Sequence, residues 1–310
     1  MKTPMVTIGI PVYNGEAYLE EALTCARTQT YGDLEIVISD NGSTDRTREI
    51  CERHGALDSR IRYYRFETNQ GLLKNFNRVY ELALGTYFKF SPHDDLYDPS
   101  FIERCVDVLE RDQDTVACSS RFLIIDEEGT VTGESHEDID ADSSSPRKRF
   151  YALLNNTKCY DLFAVIRKSA LDRMPKPLLP VYGHADGVLL ARLGMLGRIH
   201  RIPEPLYYNR DHKSRGHYQF RTYRGYIYFL DPSKQGSIVF PRWRMAAEFF
   251  RTVGMFPLPL KERMACYGLV VRWCSWYWKS FAWNIIDVLG MIVKGEVVRA
   301  PRPLTLIEKP

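Results

Sequence analysis

Two adjacent carboxylates, Asp94 and Asp95, follow a strand-like apolar run at 88–90 after a short polar link. Like charges this close repel one another unless a cation or solvent separates them. Mg²⁺ and Mn²⁺ both favour oxygen-rich sites, and substrate phosphates often complete such sites. The pair therefore predicts a divalent-cation site. The alternative is that the two acids cap the helix predicted to begin near Pro99.

A further acid, Asp40, ends another apolar run and opens the hexapeptide DNGSTD. Part of this segment could serve the fold alone, because Ser43 or Thr44 can cap a following helix and Gly42 permits a tight turn. Asp40 is not needed for capping. A carboxylate at the end of a strand can instead accept hydrogen bonds from the N–H edge of a nucleobase, and we predict that role for Asp40.

Asn69 and Lys74 indicate a third polar site. Asn69 lies in the turn-like segment TNQG, and Lys74 follows one turn into a helical pattern. The N-terminus of a helix attracts phosphate through its free amides and its dipole. An ordinary turn explains the same four residues equally well.

These polar segments follow short β-rich runs that alternate with helical patterns. The predicted order is strand 6–11, helix 17–27, strand 35–39, helix 45–53, strand 61–65, helix 72–84 and strand 87–90. Such alternation predicts a parallel sheet covered by helices. Open α/β sheets bind ligands at the carboxyl ends of their strands, so we expect the polar segments to meet at one edge. A helix at 99–111 and a hairpin at 121–132 are predicted next.

The order and spacing of these segments resemble those of the family 2 glycosyltransferases over about residues 5–212. The shared features are a strand with a Pro-x-Tyr-Asn ending, the DNGSTD hexapeptide, an Asn-x-Gly turn and a strand followed by two acids. The resemblance implies an α/β fold whose mostly parallel, Rossmann-like sheet has flanking helices, the A-type glycosyltransferase fold. It also implies inverting transfer of a sugar from a nucleotide diphosphate to an acceptor hydroxyl.

By this resemblance, Pro11 and Tyr13 line the nucleoside pocket, and Asp94 and Asp95 occupy the position of the family's Asp-x-Asp motif. Pro92 stands where many relatives have the first acid of the motif. Asp95 is the predicted direct ligand of Mg²⁺ or Mn²⁺, and Asp94 is predicted to face the sugar or ribose of the bound nucleotide.

Two later segments also resemble the family's motifs. Asp186 matches the acid that supplies the general base, although Ala185 replaces a Glu found in many members. Arg210 and His212 match an Arg-x-His ending, which implies that Arg210 neutralises the diphosphate and His212 is an additional metal ligand. N-capping of the helix predicted at 188–196 is the alternative role for Asp186, and an ordinary core or surface position is the alternative for His212.

The charge distribution divides the chain into a predicted catalytic, nucleotide-sugar-binding domain at 1–215 and a basic, aromatic-rich helical extension at 216–310. The extension has 14 Lys and Arg against 6 Asp and Glu, a balance of +8, whereas the first 215 residues sum to −5. All five tryptophans lie between 243 and 283, where charges interrupt the apolar runs. This composition favours amphipathic helices at an anionic membrane surface over a membrane span. Packing on the catalytic domain or on a partner subunit is the alternative.

The seven cysteines lack CxxC spacing and are predicted to be reduced core residues of a cytoplasmic protein, active at the inner face of the membrane if it binds lipid. The expected partners are a nucleotide diphosphate sugar and a glycan or lipid-linked acceptor in cell-surface polysaccharide or glycolipid synthesis; no nucleic-acid partner is predicted. A nucleotidyltransferase is one alternative, but it would need a Gly-rich basic loop after the first strand. A non-catalytic sugar-nucleotide-binding module is another, disfavoured by Asp94, Asp95 and Asp186.

Overall fold

A computed structural model describes residues 5–135, 139–156, 158–213, 223–231 and 238–293 of the protein. Its strands are β1 (Val6–Val12), β2 (Leu34–Asp40), β3 (Ile61–Arg65), β4 (Tyr87–Phe90), β5 (Leu96–Tyr97), β6 (Thr115–Ile125), β7 (Val131–Glu134), β8 (Val165–Arg167) and β9 (Arg198–Arg210). Its helices are α1 (Leu19–Arg27), α2 (Thr47–Leu57), α3 (Leu72–Glu81), α4 (Phe101–Arg111), α5 (Pro146–Leu154), α6 (Lys168–Asp172), α7 (Ala185–Leu196), α8 (Tyr223–Leu230), α9 (Pro241–Met255), α10 (Leu260–Trp276) and α11 (Trp278–Val293).

The strands form one sheet in the order β3-β2-β1-β4-β8-β6-β9-β5. Strand β7 is outside this order and pairs with the last residues of β6, whereas β8 pairs with residues nearer its start. Strands β1 to β4 are parallel, as are β6 and β9. The short strand β8 runs antiparallel between β4 and β6, so the sheet as a whole is mixed. The predicted α/β class with flanking helices is confirmed, and the helical C-terminal extension is present.

Helices cover both faces of the sheet because the strands are apolar on both sides. Ile36 and Ile38 of β2 belong to one cluster of buried residues, whereas Val37 between them belongs to a second cluster. Alternation of this kind is what a pleated strand buried on both faces requires. The core thus fixes the positions of the strand ends.

The carboxyl ends of β1, β2 and β4 lie side by side. Val12 pairs with Asp40 across β1 and β2, and the Asn41 N–H donates to the Val12 carbonyl over 2.9 Å. On the other side of β1, the Ser91 N–H donates to the Gly9 carbonyl over 2.8 Å. The segments that contain Asp40 and Asp94 therefore leave the sheet on either side of β1, as open α/β sheets require at a ligand-binding edge.

The extension packs against the sheet's own helices through its inner face. Phe249 and Trp273 are almost fully buried in the same cluster as residues of α5 and α7. Arg192 of α7 and Glu248 of α9 form a buried ion pair with a 2.6 Å separation. Among the helices described, none has the length and apolar composition needed to cross a bilayer. The outer face exposes Trp276, Trp278 and Trp283, so binding to a membrane surface stays a prediction.

The Arg192–Glu248 pair gives a prediction about stability. Glu248→Ala leaves the Arg192 guanidinium buried without its carboxylate and is expected to lower the free energy of unfolding by about 3 to 5 kcal/mol. Arg251→Ala is the control, because Arg251 pairs with the same carboxylate but is 61% exposed, and such pairs contribute about 1 kcal/mol or less. Urea unfolding of both variants measures the difference. Equal losses would contradict the importance of the buried contact.

Candidate active site

The loops that follow β1 and β2 are bound to each other. The Asn14 N–H donates to Ser43 Oγ and the Thr44 N–H donates to Asn14 Oδ1, each over 2.9 Å. Asn14 adopts a left-handed conformation with φ 49°, which Asn tolerates better than most residues. Ser43 and Thr44 therefore bridge two loops, and the predicted capping role is wrong for them. The first-turn amide of Thr47 is instead satisfied by Asp45 Oδ1 at 3.0 Å.

Asp40 is fully buried at the end of β2. Its carboxylate accepts hydrogen bonds from the Tyr63 hydroxyl at 2.8 Å, from Arg65 Nε at 3.1 Å and from the Ser43 N–H at 2.8 Å. Burial, together with the Asp40 carboxylate, raises the pKa of Tyr63. In this arrangement Asp40 anchors β3 and the loop after β2. The predicted contact with a nucleobase would require Tyr63 or Arg65 to move aside.

The side chain of Asn69 also forms hydrogen bonds to other residues of the protein. Its Oδ1 accepts from Asn41 Nδ2 at 2.9 Å and from the Gly71 N–H at 2.8 Å, while Asn41 Oδ1 accepts from the Gln70 N–H at 2.8 Å. Asn41, which the sequence analysis did not single out, thus shapes the loop that precedes α3. Lys74 lies on the exposed side of α3 and donates to Gln70 Oε1 over 2.8 Å. Lys74 thus contacts the same turn that contains Asn69, and the phosphate-binding role of the two residues stays a prediction.

The close packing of the loops depends on a glycine. Gly42 has a φ of +76°, and a Cβ at this position would lie 2.8 Å from the backbone of Thr68. Of the predicted nucleoside-binding residues, Pro11 is buried within β1, whereas Tyr13 just beyond the strand is 37% exposed. Tyr13 therefore offers an aromatic ring that a ligand at this edge can reach.

The network around Asp40 gives a second prediction. Asp40→Ala removes a buried acceptor from three donors and is expected to cost roughly 3 kcal/mol of unfolding free energy. Donor affinity should fall more than the turnover of the folded fraction, because the loop lies at the edge of the sheet where nucleotide binding is predicted. Tyr63→Phe removes one of the hydrogen bonds and should cost only about 1 kcal/mol. Urea unfolding and calorimetric titration of the donor test both effects, and an unchanged unfolding free energy for Asp40→Ala would contradict them.

Asp95 is fully buried and its carboxylate is directed at β9. It accepts from Tyr207 Oη at 2.9 Å, from Asn209 Nδ2 at 3.0 Å and from the Arg210 N–H at 2.9 Å. Its surroundings are those of a residue that positions two strands. The prediction that Asp95 binds a metal directly does not agree with this environment, since a metal ligand needs access to the ion and its substrate.

Asp94 is the more accessible of the two acids. Its side chain is partly accessible, and Oδ2 lies 2.9 Å from His212 Nε2. The two carboxylates have different surroundings, because Asp95 is directed at β9 whereas Asp94 lies beside His212. A carboxylate beside an imidazole can hold a divalent cation, and the imidazole favours Mn²⁺ over the harder Mg²⁺. The chemistry of these two groups therefore fits the implied metal.

Arg210 has a different position from the one expected of a diphosphate ligand. It is fully buried, and its guanidinium donates to the Asp94 carbonyl at 3.0 Å, to the Glu127 carbonyl at 2.9 Å and to Glu21 Oε2 at 2.6 Å. It also lies over the Tyr18 ring at 4.7 Å. Because these protein acceptors surround the cation, Arg210 fixes the backbone of Asp94 and does not face a ligand in this arrangement.

Asp186 lies in the first turn of α7 and is 38% exposed. The N-cap position belongs to His184, which has a left-handed φ of 68°, and Asp186 Oδ1 accepts from the Gly187 N–H at 2.8 Å. The proposed N-cap role for Asp186 is therefore wrong. His184 Nδ1 lies 3.8 Å from Asp186 Oδ1, and burial lowers the pKa of His184, which keeps the imidazole neutral at neutral pH.

A pocket of about 280 Å³ opens beside Asp186, between the catalytic region and the C-terminal helices. Its lining residues from the two sides are Leu154, Asn156, Gly183, His184, Asp186, Tyr226, Pro241, Arg242, Met245, Trp273 and Tyr277. The sequence analysis predicted Asp186 alone of these, because the others come from distant segments. The one local signal was Gly187, where any side chain would collide with the His184 imidazole.

The topology places the start of α7 towards the edge that holds Asp94. Helix α7 packs on β9 and turns directly into it at Gly197, so the N-terminus of α7 points in the direction of the carboxyl end of β9. His212 follows that end by two residues. The Asp94–His212 pair thus lies beyond the carboxyl end of β9, and the helix that carries Asp186 starts on that side of the sheet, where open α/β folds bind substrates.

Comparison with known proteins agrees with this geometry. The sequence model described as Glycosyl transferase family 2 matches residues 7–174. Chondroitin synthase of Escherichia coli is 32% identical over 135 residues, which cover 44% of this chain and 20% of that protein. The structure of S. aureus TarS in complex with UDP-GlcNAc has a TM-score of 0.59 at 16% identity and covers 95% of this chain and 82% of its own.

A second solved structure is mannosyltransferase PcManGT from Pyrobaculum calidifontis in complex with GDP-Man and Mn²⁺, with a TM-score of 0.51 at 17% identity. It covers 95% of this chain and 80% of its own. At these identities the solved structures establish the fold. This chain spans 20% to 42% of the length of four curated relatives that it matches. The family's sequence model spans more than half of this chain, including Asp40, Asp94 and Asp95, and the protein therefore belongs to glycosyl transferase family 2.

Proposed function

We propose that the protein is an inverting, divalent-metal-dependent glycosyltransferase that moves a sugar from a nucleotide diphosphate to an acceptor hydroxyl. The observation that carries the proposal is the accessible carboxylate of Asp186 in a pocket, together with the Asp94–His212 pair that follows the same end of the sheet. The relationship to a chondroitin synthase supports a role in polysaccharide or glycolipid synthesis. The UDP-GlcNAc and GDP-Man complexes of the structural neighbours support a nucleotide-sugar donor.

Asp94 and His212 would hold the cation, with Mn²⁺ favoured over Mg²⁺ by the imidazole ligand. A bound cation supplies neutralisation of the diphosphate leaving group. Asp95 is assigned a positioning role, because its hydrogen bonds to Tyr207, Asn209 and the Arg210 backbone hold the chain that leads to His212. Arg210 supports Asp94 through its backbone carbonyl.

Asp186 would act as the general base. Its carboxylate accepts the proton of the acceptor hydroxyl while that oxygen forms a bond to the anomeric carbon, and the bond from this carbon to the diphosphate oxygen breaks. Attack from the side opposite the leaving group inverts the anomeric configuration, and no bond between sugar and protein forms. General-base catalysis of this kind contributes about 10²- to 10⁴-fold to a rate.

The nucleotide would lie over the ends of β1 and β2. Tyr13 offers an exposed ring on which the nucleobase could stack, and Lys74 offers a cation at the start of α3 for a phosphate of the nucleotide. Pro11, Asp40 and Asn69 would contribute through the shape of the loops, since Asp40 and Asn69 are hydrogen-bonded within the protein. This assignment replaces the direct base contact first predicted for Asp40.

A donor screen tests the function. The protein is mixed with UDP- and GDP-sugars with and without Mn²⁺, and both thermal stabilisation and release of nucleoside diphosphate are measured. A glycosyltransferase is stabilised by its donor and releases nucleoside diphosphate in proportion to the sugar transferred to acceptor or water. Stabilisation without release would identify a binding module. Release of pyrophosphate from a nucleoside triphosphate and a sugar phosphate would identify a nucleotidyltransferase, and either result would overturn the proposal.

A further inference from the structure

We infer that the pocket beside Asp186 accepts a sugar unit bearing an oxyanion, a phosphate or a carboxylate, and that Arg242 of α9 recognises this charge. The inference rests on the proposed role of Asp186 as the base, because that role makes the pocket the acceptor site. It also gives the C-terminal extension a function, since α9 and α10 form one wall of the pocket.

Arg242 is the first observation. Its guanidinium lies over the rings of Tyr277 at 4.8 Å and Trp273 at 5.9 Å, and its backbone N–H donates to Asn284 Oδ1 at 3.0 Å. Within the described ranges, no carboxylate lies at ion-pair distance from this guanidinium. A half-buried cation held by aromatic rings in a pocket, with its charge unpaired, favours an anionic ligand.

Arg242 differs from the other arginines of α9, which form ion pairs. Arg244 and Arg251 lie on the same helix, and both form ion pairs with Glu248 at 2.9 Å and 2.6 Å. Arg192 completes the set around that carboxylate. Three arginines share Glu248, whereas Arg242 is directed away from it into the pocket. The charge of Arg242 is thus available to a ligand.

Asn156 is a second, independent observation. It lines the pocket and is 4% exposed, and its Oδ1 accepts from the backbone N–H groups of Lys158 and Cys159 at 3.1 Å and 3.0 Å. These two bonds fix the amide orientation. Its Nδ2 finds no acceptor among the described residues, and an unsatisfied buried donor is costly. An oxygen atom of a ligand would satisfy it.

The shape of the pocket suits one sugar unit. Its volume of about 280 Å³ is at the small end of the range for ligand pockets. Trp273 and Tyr277 supply an aromatic wall, while Asp186 supplies the acceptor for a hydroxyl proton. A neutral sugar would leave the Arg242 cation desolvated and unpaired, at a cost that an oxyanion removes.

Binding of three small probes to the full chain tests the inference. The probes are methyl glucoside, methyl glucuronide and glucose 1-phosphate, titrated without donor and followed by ligand-observed NMR. We expect the carboxylate or the phosphate probe, or both, to bind about tenfold or more tightly than the neutral glucoside. Their relative affinities distinguish the two sources of charge. Equal binding of all three probes would overturn the inference.

Two matched variants locate the preference for charge. Arg242→Gln should remove the preference for charged probes. Arg244→Gln should keep it, because Arg244, two residues further along α9, pairs with Glu248 and does not line the pocket. A preference that survives in Arg242→Gln would overturn the role of Arg242, provided that circular dichroism shows both variants folded. These titrations need no turnover. A charge preference in a protein that releases no nucleoside diphosphate from any donor would reject the proposed function alone, and release without the preference would reject this inference alone.

Discussion

Asp186→Asn is expected to reduce turnover by about 100-fold or more while donor affinity stays near the wild-type value, because the amide cannot accept the acceptor proton. The substitution preserves size, and the Gly187 N–H can donate to the Asn oxygen as it does to the carboxylate. Folding should therefore survive. Steady-state rates of nucleoside diphosphate release, together with calorimetric titration of the donor, separate the two effects.

Glu262→Gln is the control for this experiment. Glu262 is also an acid in the first turn of a helix, α10, and its side chain is about as exposed as that of Asp186, but it does not line the pocket and pairs with Arg147 at 3.7 Å. Its substitution should leave turnover unchanged, which would show that loss of an acid from a helix start is not enough to lower activity. If Asp186→Asn transfers sugar at a rate close to that of the wild type, Asp186 has only a structural role, and the base lies elsewhere.

Much of the fold could be predicted because its signals are local. Every strand and helix predicted between residues 6 and 90 is present, with boundaries within four residues of those observed. Apolar runs bounded by turn residues determine these elements with little help from distant contacts. The ends of the strands were therefore also predictable, and the polar residues that follow them meet at one edge of the sheet.

Strand β9 could not be predicted in the same way. Pro203 and Pro205 interrupt its pattern, and the structure accommodates them where the register with β6 shifts between Ser120 and Arg121. Bulges and interruptions of this kind allow proline within a strand. The three hydrogen-bond donors to Asp95 described above come from β9, more than 110 residues away. Which of two adjacent acids is buried depends on that pairing, so the sequence alone could not decide whether Asp94 or Asp95 is the accessible one.

The pocket beside Asp186 had no local signal other than Gly187. His184 has a left-handed backbone although it is not glycine, and Arg242 and Tyr277 reach the pocket only because α9 and α10 fold back on α7. The sequence indicated a basic aromatic extension, and both its inner packing and its exposed outer face agree with that composition. The contact of individual side chains with Asp186 is a tertiary property that periodicity does not encode.

The role proposed for Asp94 as the ligand of the cation leads to the other large effect. Asp94→Asn is expected to lower metal-dependent turnover by roughly 100-fold or more, because the cation that neutralises the leaving group loses its carboxylate. Stability should change by only about 0.5 kcal/mol, since Asn has the size of Asp94 and can still form a hydrogen bond with His212 Nε2. Asp95→Asn should instead affect stability more than metal binding. It replaces a buried carboxylate that accepts hydrogen bonds from β9, and it should cost about 3 kcal/mol of unfolding free energy.

Mn²⁺ titration monitored by electron paramagnetic resonance distinguishes these assignments without relying on turnover. With nucleoside diphosphate present, Asp94→Asn should bind Mn²⁺ more weakly than the wild type, whereas folded Asp95→Asn should bind it nearly as well. The accompanying assay adds excess chelator to the wild-type protein and then restores Mn²⁺, and activity should disappear and return. Full activity in chelator would reject the metal requirement. Weaker Mn²⁺ binding in Asp95→Asn than in Asp94→Asn would instead return the direct ligand to Asp95, which would require the carboxylate to leave Tyr207 and Asn209 when the cation binds.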